Sequence, residues 1–191
     1  MLRQLSLKEI EKLYKERISE DFPRMERRPL FTIRKMYREG RYVCLALEED
    51  KTIAAYATFI CDNEISSVLL DFYAVDKSKR GSGIGSRFLP MLAEFWALKQ
   101  GIILECERPS KAKNEKEKNT RERRISFYER NGAQMTPLSW QAFGVDYNVL
   151  WLPVKATFDK STPGKDLLDL YLLSVPRFLK NICFKIDLPD V

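Results

Sequence analysis

The chain has 191 residues, which is enough for one globular domain, and its hydrophobic fraction of 45% can fill a sizeable core. It contains no histidine. This excludes the Ser–His–Asp and Cys–His hydrolase mechanisms, because both use an imidazole as the proton shuttle. The net charge of +6 favours anionic partners, such as a phosphorylated cofactor, a nucleic acid or an acidic membrane surface, without choosing among them.

The sequence shows no targeting or metal-binding pattern. Charges interrupt every apolar run near the N-terminus, and no stretch approaches the roughly 18 apolar residues of a membrane-spanning helix. The four cysteines are scattered without a CxxC pair, which argues against a disulfide framework or a bound metal. We therefore expect a soluble, cytoplasmic protein without a metal.

Two helices are predicted at the N-terminus. Ser6 and Glu9 form an S-x-x-E capping box, which marks the start of the first helix. The second helix is predicted to run from near Pro29, a good first-turn residue, to Gly40, a good C-cap. The segment between them, residues 21–29, mixes acidic, arginine and aromatic side chains and suits either a polar acceptor site or a surface loop.

Three strands are predicted to follow. Residues 42–47 and Thr52–Ile60 are joined by a polar turn and read as a hairpin. The third strand, Val68–Val75, is apolar except for Asp71 and leads directly into the glycine-rich sequence DKSKRGSGIG.

The second half of the chain is predicted to alternate helices and strands. A helix follows the glycine-rich sequence and is expected to end at Gly101, with an inner side formed by Phe88, Leu89, Leu92, Phe95 and Trp96. A short strand at residues 102–106 and the charged stretch 111–124 come next; we expect that stretch to begin as a solvated loop and pass into a helix ending at residues 131–132. Residues 145–154 are predicted to be the last strand. A helix then begins at Thr162 and breaks at Pro176, so we divide the chain into a domain at 1–155 and a C-terminal helical extension at 156–191, packed on or next to the core.

The sharpest motif is the glycine-rich loop between the third strand and the next helix. A helix N-terminus leaves backbone N–H groups unpaired, and glycines remove the Cβ atoms that would keep a phosphate away from them. The loop fails the Walker pattern, and it fails the dinucleotide pattern GxGxxG because Ser86 stands at the third glycine. The alternative is a glycine-rich turn that binds no ligand.

The remaining match is R-x-x-G-x-G, formed by Arg80, Gly83 and Gly85, which resembles the acyl-CoA loop of the GNAT superfamily of N-acyltransferases. The preceding Ala74-Val75-Asp76 is similar to that family's pre-loop segment. Residues 126–132 are similar to its second motif, a helix that carries a tyrosine, here Tyr128, four residues before a glycine. The sequence departs from the family at Arg121, where asparagine is frequent, and at Ala133, where phenylalanine is usual.

The resemblance implies an α+β fold with a central, twisted mixed sheet that is splayed at the acyl-CoA site and covered by helices on both faces. It implies acetyl-CoA as the cosubstrate, with pantetheine bound along Ala74 and Val75. The pyrophosphate would be held by a set of consecutive residues: Arg80, Gly81, Ser82, Gly83, Ile84, Gly85 and Ser86.

The resemblance also suggests catalytic roles. Tyr128 is the candidate acid for the departing thiolate, with a packed aromatic as the alternative. Asp71 and Glu105 are the candidate bases for the incoming amine, and each could instead face solvent or pair with an arginine. Cys106 is expected to be a buried apolar residue rather than an acyl acceptor.

The expected function is transfer of an acetyl group to the primary amine of a small molecule, by direct attack in a ternary complex. The alternatives are a peptide or protein amine as acceptor, and a non-catalytic acyl-CoA-binding domain. We expect no membrane partner and no nucleic acid, because the sequence has no base-stacking motif or helix-turn-helix pattern. The sequence leaves a homodimer open.

Overall fold

The computed structural model describes residues 1–155, 162–175 and 184–187. Eight described strands form one sheet in the order β1-β2-β3-β4-β5-β7-β6-β8. The strands are β1 Leu2–Gln4, β2 Tyr42–Glu49, β3 Thr52–Ile60, β4 Val68–Val75, β5 Gly101–Glu107, β6 Gln134–Ala142, β7 Val145–Pro153 and β8 Phe184–Asp187. The helices are α1 Leu7–Leu13, α2 Ser19–Asp21, α3 Leu30–Arg38, α4 Ile84–Phe95, α5 Glu115–Arg130 and α6 Thr162–Leu172.

The fold is the expected α+β arrangement with a mixed sheet covered on both faces. One face carries a core that includes Ile10 of α1, Ile33 of α3 and Leu167 of α6. The opposite face carries a second core that includes Phe88 of α4 and Ile125 of α5. Among the described helices, none combines the length and the apolar character that crossing a membrane requires.

The N-terminal helices begin where the sequence predicts. The capping box is present, and the backbone N–H of Ser6 donates to the Glu9 carboxylate at 2.8 Å. The first helix then changes to a π-helical turn at Tyr14–Ile18 before α2, which the sequence pattern did not indicate. α3 begins next to Pro29, as expected, but Pro29 is the N-cap residue rather than part of the first turn.

The central strands separate at the middle of the sheet. β4 and β5 are the parallel neighbours, and they pair only as Val68 with Ile102 and Leu69 with Ile103. The other strand pairs are antiparallel. Beyond Leu69, the edge of β4 that faces β5 therefore has no strand partner among the described residues, and a gap opens between the two strands.

Asp71 lies at a β-bulge next to this gap. Thr58 of β3 faces Phe72, and the next residue, Phe59, faces Leu70, so Asp71 is the extra residue of β4. The hydroxyl of Thr58 accepts the backbone N–H of Phe72 at 3.1 Å. A bulge is a common means of turning one side chain out of the regular alternation, and it explains how a charged residue fits into this apolar strand.

Two details of the predicted α4 segment were wrong. The helix ends at Phe95, and the Phe95 side chain is 42% exposed rather than on the inner side. Gly101 does not stop the helix but opens β5, where a Cβ atom would lie 2.3 Å from the Trp151 ring. The glycine is required there because the indole covers the strand directly.

The predicted end of the sheet was also wrong. β7 is not the last strand, because β8 pairs with β6, and β6 itself was not predicted. Pro137 lies in β6, where the pairing with β7 shifts register between Met135 and Ser139, so the alternating pattern is broken. α6 begins at Thr162 as predicted, whereas the break at Pro176 falls outside the described residues.

Candidate functional site

The glycine-rich loop forms the N-terminus of α4. Gly83 is the N-cap residue, with a left-handed φ of 82°, and no side chain caps the helix there. Gly81 has the same φ, and a Cβ atom on either glycine would meet no atom within 4 Å. The free N–H groups of the first turn therefore face open space, which is the arrangement that binds phosphate.

Gly85 has a different role within the same loop. A Cβ atom at Gly85 would come within 3.2 Å of the Phe127 ring of α5. Its carbonyl accepts the Tyr73 hydroxyl at 2.6 Å, which ties α4 to β4. This glycine allows close packing of two helices and a strand beneath the loop, in addition to any contact with a ligand.

The charges around the loop are only partly paired. Arg80 is held at the end of β4, where Nε donates to the Val75 carbonyl at 3.2 Å and Nη2 lies 3.3 Å from Asp21. Its side chain is still 56% exposed. Lys79 lies 3.6 Å from Glu49, which also pairs with Arg87. The loop thus carries an excess of positive charge near its open N–H groups.

The edge of β4 that continues from this loop includes Ala74 and Val75. Both residues pair with β3 on one side, through Tyr56 and Ala55. Their other side faces the gap beyond Leu69. An extended ligand can therefore lie along β4 in the position that a strand would otherwise occupy.

On the face of the sheet that carries α1, α3 and α6, Asp71 forms an ion pair with Arg28. The Nε atom of Arg28 lies 2.8 Å from Oδ1 of Asp71, and the two side chains are only 11% and 10% exposed. Tyr14, from the π-helical turn, donates its hydroxyl to the Arg28 carbonyl at 2.9 Å. The N-terminal segment therefore fixes the cation against β4.

Glu105 of β5 faces the same side of the sheet and contacts α6. The hydroxyl of Tyr171 donates to Oε2 of Glu105 at 2.7 Å. Burial raises the pKa of Glu105 to about 7, although the Tyr171 hydroxyl, the Arg28 charge and the Trp140 indole act in the opposite direction. A carboxyl with this pKa can exchange a proton near neutral pH.

Each of the two carboxylates keeps one oxygen without a partner. Oδ2 of Asp71 and Oε1 of Glu105 are buried and accept no hydrogen bond from the described residues. The indole N–H of Trp140 favours the ionised form of Glu105, but it too lacks a partner at hydrogen-bond geometry. Buried carboxylate oxygens are normally satisfied, so unpaired ones are typical of positions that meet a ligand or water. With Arg28 charged and both carboxylates ionised, the cluster has a net charge of −1.

Tyr128 lies on the opposite face of the sheet. It is 7% exposed and belongs to the core formed with α4 and α5, where its ring centroid lies 6.1 Å from that of Tyr73. Burial raises its pKa above the usual value, so the phenol keeps its proton at neutral pH. Its hydroxyl makes no hydrogen bond with the residues that the structure describes.

Arg121 and Cys106, which the sequence analysis also singled out, have structural rather than chemical roles. Arg121 is buried, and its guanidinium contacts Glu107, Glu117 and the Arg108 carbonyl, so these groups occupy it instead of a cofactor phosphate. Cys106 is fully buried, and burial raises the pKa of its thiol to about 12. A thiol in that state is a poor nucleophile.

Sequence reasoning missed the partners of the two carboxylates. Arg28 is 43 positions from Asp71, and Tyr171 is 66 positions from Glu105. The isolated charge of Asp71 in an apolar strand did signal a partner, since a buried charge is costly unless paired. Nothing in the local pattern identified which arginine or tyrosine would supply it.

Comparison with known proteins identifies the domain that contains this candidate site. A model of the GNAT acetyltransferase domain matches residues 39–132, which include the loop, β4, β5 and α5. These residues therefore form a GNAT acetyltransferase domain. No curated protein was found to match the sequence.

Solved structures show the same fold at low identity. A protein from Bacteroides thetaiotaomicron assigned to the GNAT acetyltransferases has 22% identity and a TM-score of 0.72, over 92% of this chain and 99% of that one. The ribosomal-protein-S18-alanine N-acetyltransferase from Escherichia coli has 18% identity and a TM-score of 0.57, over 83% and 96%. An aminoglycoside 6'-N-acetyltransferase complexed with coenzyme A has 14% identity and a TM-score of 0.59, over 83% and 99%.

Proposed function

We propose that this protein transfers the acetyl group of acetyl-CoA to the primary amine of a small molecule, by direct attack in a ternary complex. One observation carries the proposal. Just beyond the short β4–β5 ladder, Asp71 and Glu105 lie on one face of the sheet and Tyr128 lies on the other. Groups that accept and donate protons therefore flank the gap in which the two substrates would meet.

Acetyl-CoA would bind across the loop and the edge of β4. The pyrophosphate would accept hydrogen bonds from the N–H groups of residues 80–86, and pantetheine would extend past Ala74 and Val75 into the gap. The positive φ of Gly81 and Gly83 and the open space in front of them support this arrangement.

Glu105 is the better candidate for the base. The ammonium of the acceptor must lose a proton before its nitrogen can attack, and a carboxylate with a pKa of about 7 accepts that proton at neutral pH. Asp71 is tied to Arg28, and its main role in the proposed site is to fix that cation. The nitrogen then forms a bond to the acetyl carbon, the carbon–sulfur bond breaks, and Tyr128 protonates the CoA thiolate. The nitrogen loses its second proton as the amide forms, and that proton replaces the one that Tyr128 has given.

The acceptor should be small and cationic. The net negative charge and the two unpaired carboxylate oxygens suit an ammonium group. Residues of the C-terminal extension, Tyr171 and Ser174, cover this side of the site, which leaves less room for an extended peptide. The buried free thiols Cys44, Cys61 and Cys106 fit a reducing compartment, and we propose the cytoplasm.

A panel of small primary amines and a set of peptides, each assayed for CoA release from acetyl-CoA, tests the proposal. We expect release that depends on a small amine. Turnover with peptides alone would assign a peptide or protein acceptor, and binding of acetyl-CoA without turnover on any amine would indicate a non-catalytic domain.

A further inference from the structure

The C-terminal extension reaches the proposed base directly. α6 packs with Leu167 and Leu170, which are fully buried, against the face of the sheet that carries Asp71 and Glu105. Near its N-terminus, Asp166 accepts hydrogen bonds from Ser66 and Ser67, which precede β4. The helix is therefore fixed to the same strand that carries Asp71.

The last turn of α6 and the residues that follow it contribute two contacts to the cluster. Tyr171 donates its hydroxyl to Oε2 of Glu105 at 2.7 Å, and Ser174 accepts a hydrogen bond from Nη1 of Arg28 at 2.7 Å. The Arg28 guanidinium also lies over the Tyr171 ring, and its Cζ atom is 5.1 Å from the ring centroid. Tyr171 thus contacts the cation with its ring and the carboxylate with its hydroxyl.

We propose that Tyr171 is a positioning residue of the acetyl transfer: its hydroxyl holds Glu105 by Oε2 and leaves Oε1 to receive the proton of the acceptor amine. The inference rests on the proposed function. It assigns to the C-terminal extension a part of the acceptor site that lies outside the segment matched by the GNAT model.

Among the groups around Glu105, the Tyr171 hydroxyl is the contact to test. The cation Arg28 comes from the segment before α3, Asp71 from β4 and Tyr147 from β7, while the Trp140 indole comes from β6 and the Cys106 thiol from β5 itself. Arg28 is already paired with Asp71. The Tyr171 hydroxyl is therefore a neutral donor that stabilises the ionised carboxylate and fixes its orientation.

The experiment is the pH profile of kcat/KM for the best amine of the panel, with wild type and Tyr171→Phe. The wild type should gain activity as pH rises through the pKa of Glu105. Loss of one hydrogen bond to the ionised form should move this acid limb upward by roughly one unit, so that kcat/KM falls about tenfold at pH 6 and approaches wild type at high pH. Tyr37→Phe removes a phenol hydroxyl on the same face of the sheet but outside the cluster, and it should leave the limb in place.

A second variant covers the case in which Tyr171→Phe does not fold. Site-specific replacement of Tyr171 by 3,5-difluorotyrosine keeps the ring and makes the hydroxyl a stronger donor, so the acid limb should move downward. The inference is overturned if either Tyr171 variant keeps the wild-type acid limb or loses activity equally at all pH values. Turnover by the wild type would in that case leave the proposed function intact. No turnover by wild type on any amine would contradict the proposed function itself.

Discussion

Arg28 and Asp71 form an ion pair of 2.8 Å although 43 positions separate them in the chain. The pair joins the segment before α3 to the bulge in β4, next to the gap between β4 and β5. Asp71 therefore pairs with a fixed cation, whereas Glu105 accepts a hydrogen bond from a neutral hydroxyl. The ion pair therefore distinguishes Asp71 from Glu105, which the sequence alone could not rank as candidate bases.

Asp71→Asn should mainly lower the free energy of unfolding and have a smaller effect on the rate of acetyl transfer. Removing one partner of a buried ion pair leaves the Arg28 charge uncompensated, which costs roughly 3 kcal/mol in the free energy of unfolding. Denaturant unfolding measures this cost. Glu39→Gln removes an exposed partner of Arg41 and is the control, with an expected cost below about 1 kcal/mol. Equal costs for the two variants would mean that the Arg28–Asp71 pair does not stabilise the fold.

Glu105→Gln should reduce turnover while the fold persists. We expect kcat to fall by roughly 10²-fold or more, because a positioned general base contributes about 10²–10⁴ in rate. The Glu105 pKa of about 7 also fixes the pH dependence: the carboxylate is active only when deprotonated, so wild-type kcat/KM rises as pH increases through about 7. The variant should lose this limb. A Gln variant that keeps both the rate and the limb would exclude Glu105 as the base.

Gly83→Val should abolish stabilisation of the protein by acetyl-CoA. Valine at a φ of 82° is strained, and its side chain would fill the open space in front of the first turn of α4. The measurement is the shift in Tm on adding millimolar acetyl-CoA. Gly40→Val is the matched control, since Gly40 has a φ of 71°, open surroundings and no place in the loop. The Gly40 variant should keep the shift, and a shift retained in the Gly83 variant would place the cofactor elsewhere.

Tyr128→Phe should lower kcat with little change in the affinity for CoA. The ring continues to pack against Tyr73, and the loss of the hydroxyl removes the proton donor for the thiolate, so we expect a fall of roughly 10²-fold. The loss should shrink with an acyl donor whose thiolate is a better leaving group. Tyr37→Phe, in the core on the opposite face of the sheet, is the control. Full kcat in the Tyr128 variant would remove this residue from the mechanism.

Local signals in the sequence predicted much of the fold. The capping box at Ser6, the apolar run of β4 and the glycine loop before α4 depend on neighbouring residues, and each was found where expected. β6 was missed because Pro137 and a register shift interrupt its alternation. Gly101 was misread because its small size serves a contact with Trp151, which lies far along the chain.

The candidate site was also predictable only in part, because some of its contacts join residues that are distant in the chain. The sequence singled out the loop, Asp71, Glu105 and Tyr128 as candidates, since each lies in a motif or an unusual local setting. It could not identify Arg28 or Tyr171, because their roles depend on packing between segments that are distant in the chain. These long-range contacts are what distinguish Glu105 from Asp71 as the candidate base.

Mass spectrometry of the protein and the amine after incubation with acetyl-CoA tests direct transfer most sharply. With acetyl-CoA alone, the mass of the protein should stay unchanged, because the Cys106 thiol is buried and has a raised pKa. With a small primary amine added, the acetylated amine should appear together with free CoA. An acetylated protein that forms without amine and then passes its acetyl group to the amine would contradict direct attack in a ternary complex.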